Sequence, residues 1–195
     1  MSTPPPTVGR QYDPSMDYSE VRSNACSGLR VAFYWVDNPS TDEDDHLDQA
    51  VDTLFEAIRQ PGLRLWTPWN TPLLKAEFRN RLRKASRGEL EPPEELKPVG
   101  HRRLPIYEIR WSELGVRERP GDGDPDRFKQ IEVRLLHGEP LELSLALLGL
   151  HAHEKYTDGT DQENKRAQDA EIERAKAIYL EAAPRSWGVV RRTPG

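Results

Sequence analysis

The stretch that decides the fold runs from Leu104-Pro-Ile-Tyr-Glu-Ile-Arg110 to His151-Ala-His-Glu-Lys-Tyr156. Residues 106–111 and 129–137 alternate between apolar and polar side chains, which is typical of strands with one buried face. Residues 141–152 are almost wholly apolar, as expected of a strand that is covered on both faces. Three neighbouring runs of this kind predict a β-sheet at the centre of the fold.

Turn residues and side-chain alternation indicate how the three runs are arranged. His137-Gly-Glu-Pro140 separates the second run from the third, so these two runs are predicted to form an antiparallel hairpin. Arg110 and Arg134 then lie on neighbouring strands of the sheet. His151 and His153 are two residues apart and leave the third strand on one face. This is the one part of the chain whose pattern predicts a chemical site.

A further strand and three helices are predicted outside this stretch. Residues 29–36 are apolar and aromatic and form the first strand, and Ser40-Thr-Asp-Glu43 fits a capping box for a helix that ends near residue 60. Thr71-Pro72 fits the start of a second helix, with Gly88 at its C-terminal cap. Thr160 and Glu163 cap a last helix, which Pro184 ends.

Domain boundaries follow from where the periodic pattern starts and stops. Residues 1–28 are rich in proline and serine and are predicted to be a mobile N-terminal tail. Residues 29–182 form the predicted domain, and residues 183–195 form a short basic C-terminal tail. Residues 112–127 contain Gly121-Asp-Gly-Asp-Pro125 and are predicted to be a flexible loop between two strands.

Composition limits the classes of function. The chain has 195 residues, 28 Lys+Arg against 33 Asp+Glu, a net charge of −5 and a single cysteine. One domain with tails is expected at this length, and one cysteine excludes an internal disulfide, which suits a reducing cytoplasm. No apolar run approaches the ~20 residues of a membrane span and no secretory signal is visible, so a cytoplasmic protein without membrane contact is predicted.

A local excess of positive charge lies within this acidic chain. The second predicted helix and the segment after it carry bases that could follow a phosphate backbone: Lys75, Arg79, Arg83, Arg87, Arg102 and Arg103. A solvated helix face without a partner is the alternative interpretation.

Several sequence words occur in a characteristic order along the chain. They are Gly88-Glu-Leu-Glu-Pro-Pro93, Ile106-Tyr-Glu-Ile-Arg110, Val133-Arg-Leu-Leu136, Leu147-Leu-Gly-Leu-His-Ala-His-Glu-Lys155 and Ala170-Glu-Ile-Glu-Arg-Ala175. Taken together they resemble the RelE/ParE toxin superfamily, in particular its HigB-like, phage-associated branch.

The resemblance covers residues 29–182 and implies a fold. It implies an α+β, RelE-like domain in which a small antiparallel sheet of about four strands packs on two N-terminal helices and a C-terminal helix. Glu154-Lys155 stands where this family usually has two lysines.

The resemblance also implies an activity and partners. RelE-like toxins are ribosome-dependent mRNA endoribonucleases of type II toxin–antitoxin systems, and a helix-turn-helix antitoxin is the implied partner. Cleavage by attack of a 2′-hydroxyl on the adjacent phosphate needs a base, an acid and cations, but no metal or other cofactor. The predicted catalytic residues are Arg110, Arg134, His153, Lys155 and Tyr156.

Three alternatives remain open from the sequence. The chain could be a ParE-like toxin that binds gyrase and needs no acid–base residues. It could be a non-catalytic interaction module with this fold, of phage or regulatory origin, as the acidic balance allows. A zinc site formed by His151, His153 and His137 is the third alternative, which concerns the site only.

Overall fold

A five-stranded mixed sheet forms the centre of the computed structural model, which describes residues 23–99, 104–119, 121 and 125–190. In chain order the strands are β1 Ala32–Trp35, β2 Leu96–Pro98, β3 Ile106–Glu118, β4 Arg127–Gly138 and β5 Ala146–Glu154. Across the sheet the order is β1-β5-β4-β3-β2, with β1 parallel to β5 and every other pair antiparallel. The α+β class is confirmed. The prediction of about four strands, all antiparallel, is wrong, because β2 adds a fifth strand and β1 runs parallel to β5.

Helices cover both faces of the sheet. They are α1 Glu43–Ile58, α2 Asn70–Ser86 and α3 Asp161–Ala182. Helix α1 packs on β1, β5 and α2, whereas α3 packs on β5 and β4. Phe78 of α2 meets Trp111 edge to face, and Glu171 of α3 bonds His151, so side chains that alternate along the strands contact different helices.

Two of the predicted helix starts are wrong in detail. Asp42 caps α1, because its side chain accepts a hydrogen bond from the backbone N–H of Asp44, while the Ser40 hydroxyl binds Asp45 instead. Helix α2 starts at Asn70, before the predicted cap at Thr71, and has no side-chain cap. The Thr160–Glu163 capping box of α3 is present as predicted.

Gly88 ends α2 as the sequence predicts. Its φ is +69°, a conformation that side chains other than glycine rarely adopt. A Cβ at this position would lie 2.6 Å from the backbone oxygen of Leu29. The chain therefore needs glycine here both for the turn and for the close approach of the segment that leads into β1.

The predicted loop at residues 112–127 is largely strand. Strand β3 continues to Glu118 after an irregularity between Trp111 and Leu114, where Glu113 has a φ of +62°. Leu114 and Val116 are buried on the far side of this bulge. The bulge interrupts the alternation, which is why the continuation was missed in the sequence.

Segments predicted as tails take part in the packed structure. A short 3₁₀ helix, Asn24–Cys26, buries Ala25 and Cys26, and the N–H of Asn24 donates to Glu139. A second, Ala183–Gly188, follows α3 and buries Trp187, whose indole N–H donates to the carbonyl of Tyr179 at 3.0 Å. A third, Leu141–Leu143, connects β4 to β5, so the predicted strand at residues 141–152 begins only at Ala146.

No helix within the described ranges combines the length and the hydrophobicity that a transmembrane span requires.

Candidate functional site

Arg110, Arg134 and His153 lie side by side on three adjacent strands. Arg134 is directly opposite Arg110 in the β3–β4 pair and directly opposite His153 in the β4–β5 pair. Residues opposite one another in an antiparallel pair share a face of the sheet. This row lies on the face that α3 covers, since Glu171 of α3 bonds the neighbouring His151.

Arg134 is enclosed by the protein. Its side chain is 1% exposed and forms ion pairs with Glu132 and with Glu108, the latter at 3.8 Å. It also donates to the backbone oxygens of Trp111 at 3.2 Å and Val133 at 3.0 Å. A guanidinium bound in this way has few donors left for a phosphate, so in this structure Arg134 holds the polar groups around it in place.

His153 is buried without hydrogen-bond partners. It is 8% exposed, and neither ring nitrogen has a partner. Burial lowers the pKa of His153 to about 4, because desolvation disfavours the imidazolium; Glu171 acts in the opposite direction, and His151, Arg134 and Arg174 add to the lowering.

Lys155 and Tyr156 are the accessible members of the predicted catalytic set at the end of β5. The Lys155 side chain is 30% exposed and its ammonium lies 3.2 Å from Glu132, whereas Tyr156 is 49% exposed. Both line a cleft of about 370 Å³, here called the Lys155 cleft, together with Arg127 and Lys129. The sequence did not indicate these last two bases as site residues. Arg127 was placed in the predicted loop, and Lys129 was noted only as the first residue of an alternating run.

Acidic groups balance the bases of the Lys155 cleft. Lys129 pairs with Asp158 at 3.3 Å, and Arg127 pairs with Glu118 at 3.0 Å. The pKa of Glu132 is lowered even though its burial alone would raise it, because the Lys155 hydrogen bond and the Arg134 charge outweigh desolvation. The cleft is therefore lined by fixed ion pairs and has no large excess of positive charge.

Arg110 opens to a different part of the surface. It lines a cleft of about 400 Å³ with Arg81 and Glu95, and it donates to the backbone oxygen of Pro93 at 2.8 Å. It also lies 3.4 Å from the buried carboxylate of Glu108. The register thus brings Arg110 into one row with Arg134 and His153, but its accessible end does not share a cleft with Lys155.

The predicted RNA-binding bases of α2 are paired with acids. Bases of α2 and acids of α1 are each spaced four residues apart and face one another between the antiparallel helices. This charge ladder consists of three pairs: Lys75–Asp52, at 2.7 Å; Arg83–Asp44, at 3.4 Å; and, between them, Arg79–Asp48. Arg87 pairs with Glu89 at 2.7 Å, and Arg102 and Arg103 lie outside the described residues. The RNA-binding role of these bases stays a prediction.

A buried arginine that sequence reasoning missed supports the α1 side of the sheet. Arg64 binds both carboxylate oxygens of Glu154, at 2.6 and 2.7 Å, and the carbonyl of Ile58 at 2.7 Å. It also lies 3.4 Å from the buried Glu118. Glu154 stands where the family that the chain resembles has a lysine. That replacement was the one feature of the sequence that could have indicated a partner such as Arg64.

A cluster of metal-binding residue types lies beneath α3. Ligand atoms of His151, His153 and Glu171 all lie within 4.8 Å of one another. Sequence reasoning had put His137 in this group. In the structure His137 instead stacks on Tyr107 and lies 3.1 Å from Glu139, so Glu171 takes the third place.

Known proteins give no independent guide to this site. Comparison of the chain with protein-family models, with curated proteins and with solved structures finds no match.

Proposed function

We propose that the chain is the toxin of a type II toxin–antitoxin system and cleaves mRNA on the ribosome in the cytoplasm. The RelE/HigB-like sequence words motivate the proposal. The Lys155 cleft is the structural observation that carries it, because a partly exposed lysine and an exposed aromatic ring line this cleft where β5 leaves the sheet. A helix-turn-helix antitoxin is the proposed partner.

In this proposal the accessible side chains contact the RNA. Lys155 stabilises the charge that develops on the phosphorane and donates a proton to the 5′-oxygen, while water in the cleft accepts the proton that the attacking 2′-hydroxyl loses. Tyr156 stacks on a base next to the scissile bond. Lys129 and Arg127 exchange their carboxylate partners for backbone phosphates.

Arg134, the buried arginine of the row, acts on Lys155 through Glu132. Arg134 binds Glu132, which in turn binds Lys155, so Arg134 is a positioning residue for the ammonium. His153 lies opposite Arg134 on β5, two residues before Lys155, and is not placed in contact with substrate in this proposal.

Induced expression of the full chain tests the proposal. We expect growth arrest and new mRNA 5′ ends within translated regions, and a loss of cleavage of roughly 100-fold in Lys155→Ala, as for removal of an acid–base group. Lys165→Ala is the matched control, because this exposed lysine lies on α3 outside the cleft. Cleavage that is unchanged in Lys155→Ala contradicts the proposed site.

A non-catalytic interaction module is the second candidate, and the pairing of charges favours it. The bases of the charge ladder and of the Lys155 cleft already have carboxylate partners, which lowers the positive potential available to RNA. Unimpeded growth and an unchanged set of mRNA 5′ ends after expression of the wild-type chain would select this function.

A further inference from the structure

We propose that His151, His153 and Glu171 form a site for a divalent transition-metal ion of the zinc type, which ties α3 to β5. The inference is independent of RNA cleavage, because the three residues lie apart from the Lys155 cleft. The ion has a structural role in this proposal, and no chemical step passes through it.

The ligand atoms are already close to the spacing that an ion requires. The Nε2 of His151 lies 2.5 Å from the Glu171 carboxylate, and the two imidazole rings are nearly parallel, with centroids 5.8 Å apart. A tetrahedral ion with bonds of about 2.0–2.1 Å separates its ligands by roughly 3.4 Å. Since all three ligand atoms lie within 4.8 Å of one another, small side-chain rotations are sufficient to enclose an ion.

The state of His153 is the second observation that points to a ligand. More than nine-tenths of this residue is buried, and both of its ring nitrogens lack a hydrogen-bond partner. A buried polar side chain normally has a partner, and one that has none calls for an explanation. An ion bound to one nitrogen of His153 provides that explanation, since imidazole is a common metal ligand.

Access and competition also fit a metal site. His151 and Glu171 are partly exposed, with side-chain values of 16% and 26%, so an ion can enter from solvent. Arg174 binds the Glu171 carboxylate at 3.1 Å and competes with the ion. Its side chain is 62% exposed and can turn into solvent when the ion binds.

Donor chemistry restricts the kind of ion. Two imidazoles and one carboxylate suit zinc and its first-row neighbours, whereas magnesium and calcium prefer oxygen ligands throughout. Three protein ligands leave a fourth position for water. Two histidines of β5 and a carboxylate of α3 would thus join two consecutive elements of the chain.

Zinc titration of the full, untagged chain after treatment with a chelator tests the site. We expect one zinc per chain by calorimetry, a rise in the thermal midpoint that saturates at this stoichiometry, and visible absorption bands when cobalt replaces zinc. Glu171→Gln is expected to weaken zinc binding by at least about tenfold, and His153→Ala by more.

Glu173→Gln is the matched control, because this glutamate lies on the same helix and pairs with Lys176 at 2.7 Å. It should bind zinc as the wild type does. Circular dichroism of each metal-free variant shows whether its fold is retained, and Glu171→Gln changes a partly exposed side chain, so that a fold change in His153→Ala leaves the test intact. Failure of the wild type to bind one zinc, or equal binding by Glu171→Gln and Glu173→Gln, overturns the proposal.

Discussion

Two buried histidines show how differently the two sides of the sheet satisfy their polar groups. On the α1 side, His46 accepts a hydrogen bond from the N–H of Trp35 at 3.0 Å and lies 3.0 Å from the carbonyl of Ser40. On the α3 side, neither nitrogen of His153 has a partner. Both ring nitrogens of His46 thus have partners within the chain, whereas His153 is the place where a ligand would supply one.

Charged groups show a similar contrast. The charge ladder between α1 and α2 is exposed and consists of isolated pairs, which contribute little each. Arg134 beneath α3 is enclosed and shared among carboxylates and carbonyls. Arg64 and Glu118 form a comparably buried pair on the α1 side. Substitutions of these buried charges are therefore expected to have larger effects than substitutions in the exposed ladder.

Removal of the Arg134 charge is the largest expected effect. We expect Arg134→Met to lower the free energy of unfolding by about 3–5 kcal/mol, because the buried carboxylate of Glu108 loses a partner. Urea unfolding followed by circular dichroism measures the change. Adding Glu108→Gln should recover part of the loss. A cost below about 1 kcal/mol in Arg134→Met would show that this buried pair contributes no more than an exposed one.

Titration of His46 gives the next effect. Burial lowers the pKa of His46, with the Ser40 carbonyl and nearby acids opposing the shift. The unfolded chain binds a proton near pH 6.5, whereas the folded chain resists protonation because Nδ1 is needed to accept the Trp35 N–H. The contribution of His46 to the free energy of unfolding should therefore be fully present above pH 6.5 and decrease as the pH falls below that value.

The His46→Asn variant isolates this contribution. Its side-chain oxygen can accept a hydrogen bond but does not titrate in this range, so the slope of unfolding free energy against pH should flatten between pH 6.5 and 5. Urea unfolding at several pH values measures both slopes. Parallel curves for the wild type and His46→Asn would mean that another group causes the pH dependence.

The charge ladder should give the smallest effect. We expect Arg79→Ala to cost less than about 1 kcal/mol, since Asp48 is exposed and screened by solvent. Exchange of the two charges, Asp48→Arg with Arg79→Asp, should restore most of the stability lost in either single variant. A double-mutant cycle in urea measures the coupling, and a coupling above about 2 kcal/mol would contradict an exposed pair.

Local patterns were sufficient to predict much of the sheet. Alternation indicated strands around Ile109 and Val133, and the apolar run indicated the strand that carries His151 and His153. The same two-residue period placed Arg110 and Arg134 on one face, as the register shows. Alternation did not predict β2, which has only three residues, or the part of β3 beyond the bulge.

Tertiary partners were the part that local patterns could not supply. The bases at Lys75, Arg79 and Arg83 were visible, but their acids lie on another helix and only antiparallel packing brings them together. Glu171 likewise lies within the last predicted helix, and the periodic pattern of that helix does not indicate that it contacts the two histidines of β5. Arg134 is also held by Glu108 and the carbonyl of Trp111, both on β3, which its own strand does not specify.

The parallel pairing of β1 with β5 has a consequence for synthesis of the chain. Phe33 lies opposite Leu147, although both central helices and three strands separate them in sequence. As the nascent chain leaves the ribosome, α1 and α2 can pack as a local hairpin, but β1 waits without its neighbour until β2, β3, β4 and β5 have emerged. The sheet, and every surface that depends on it, therefore assembles only after β5 has been synthesised.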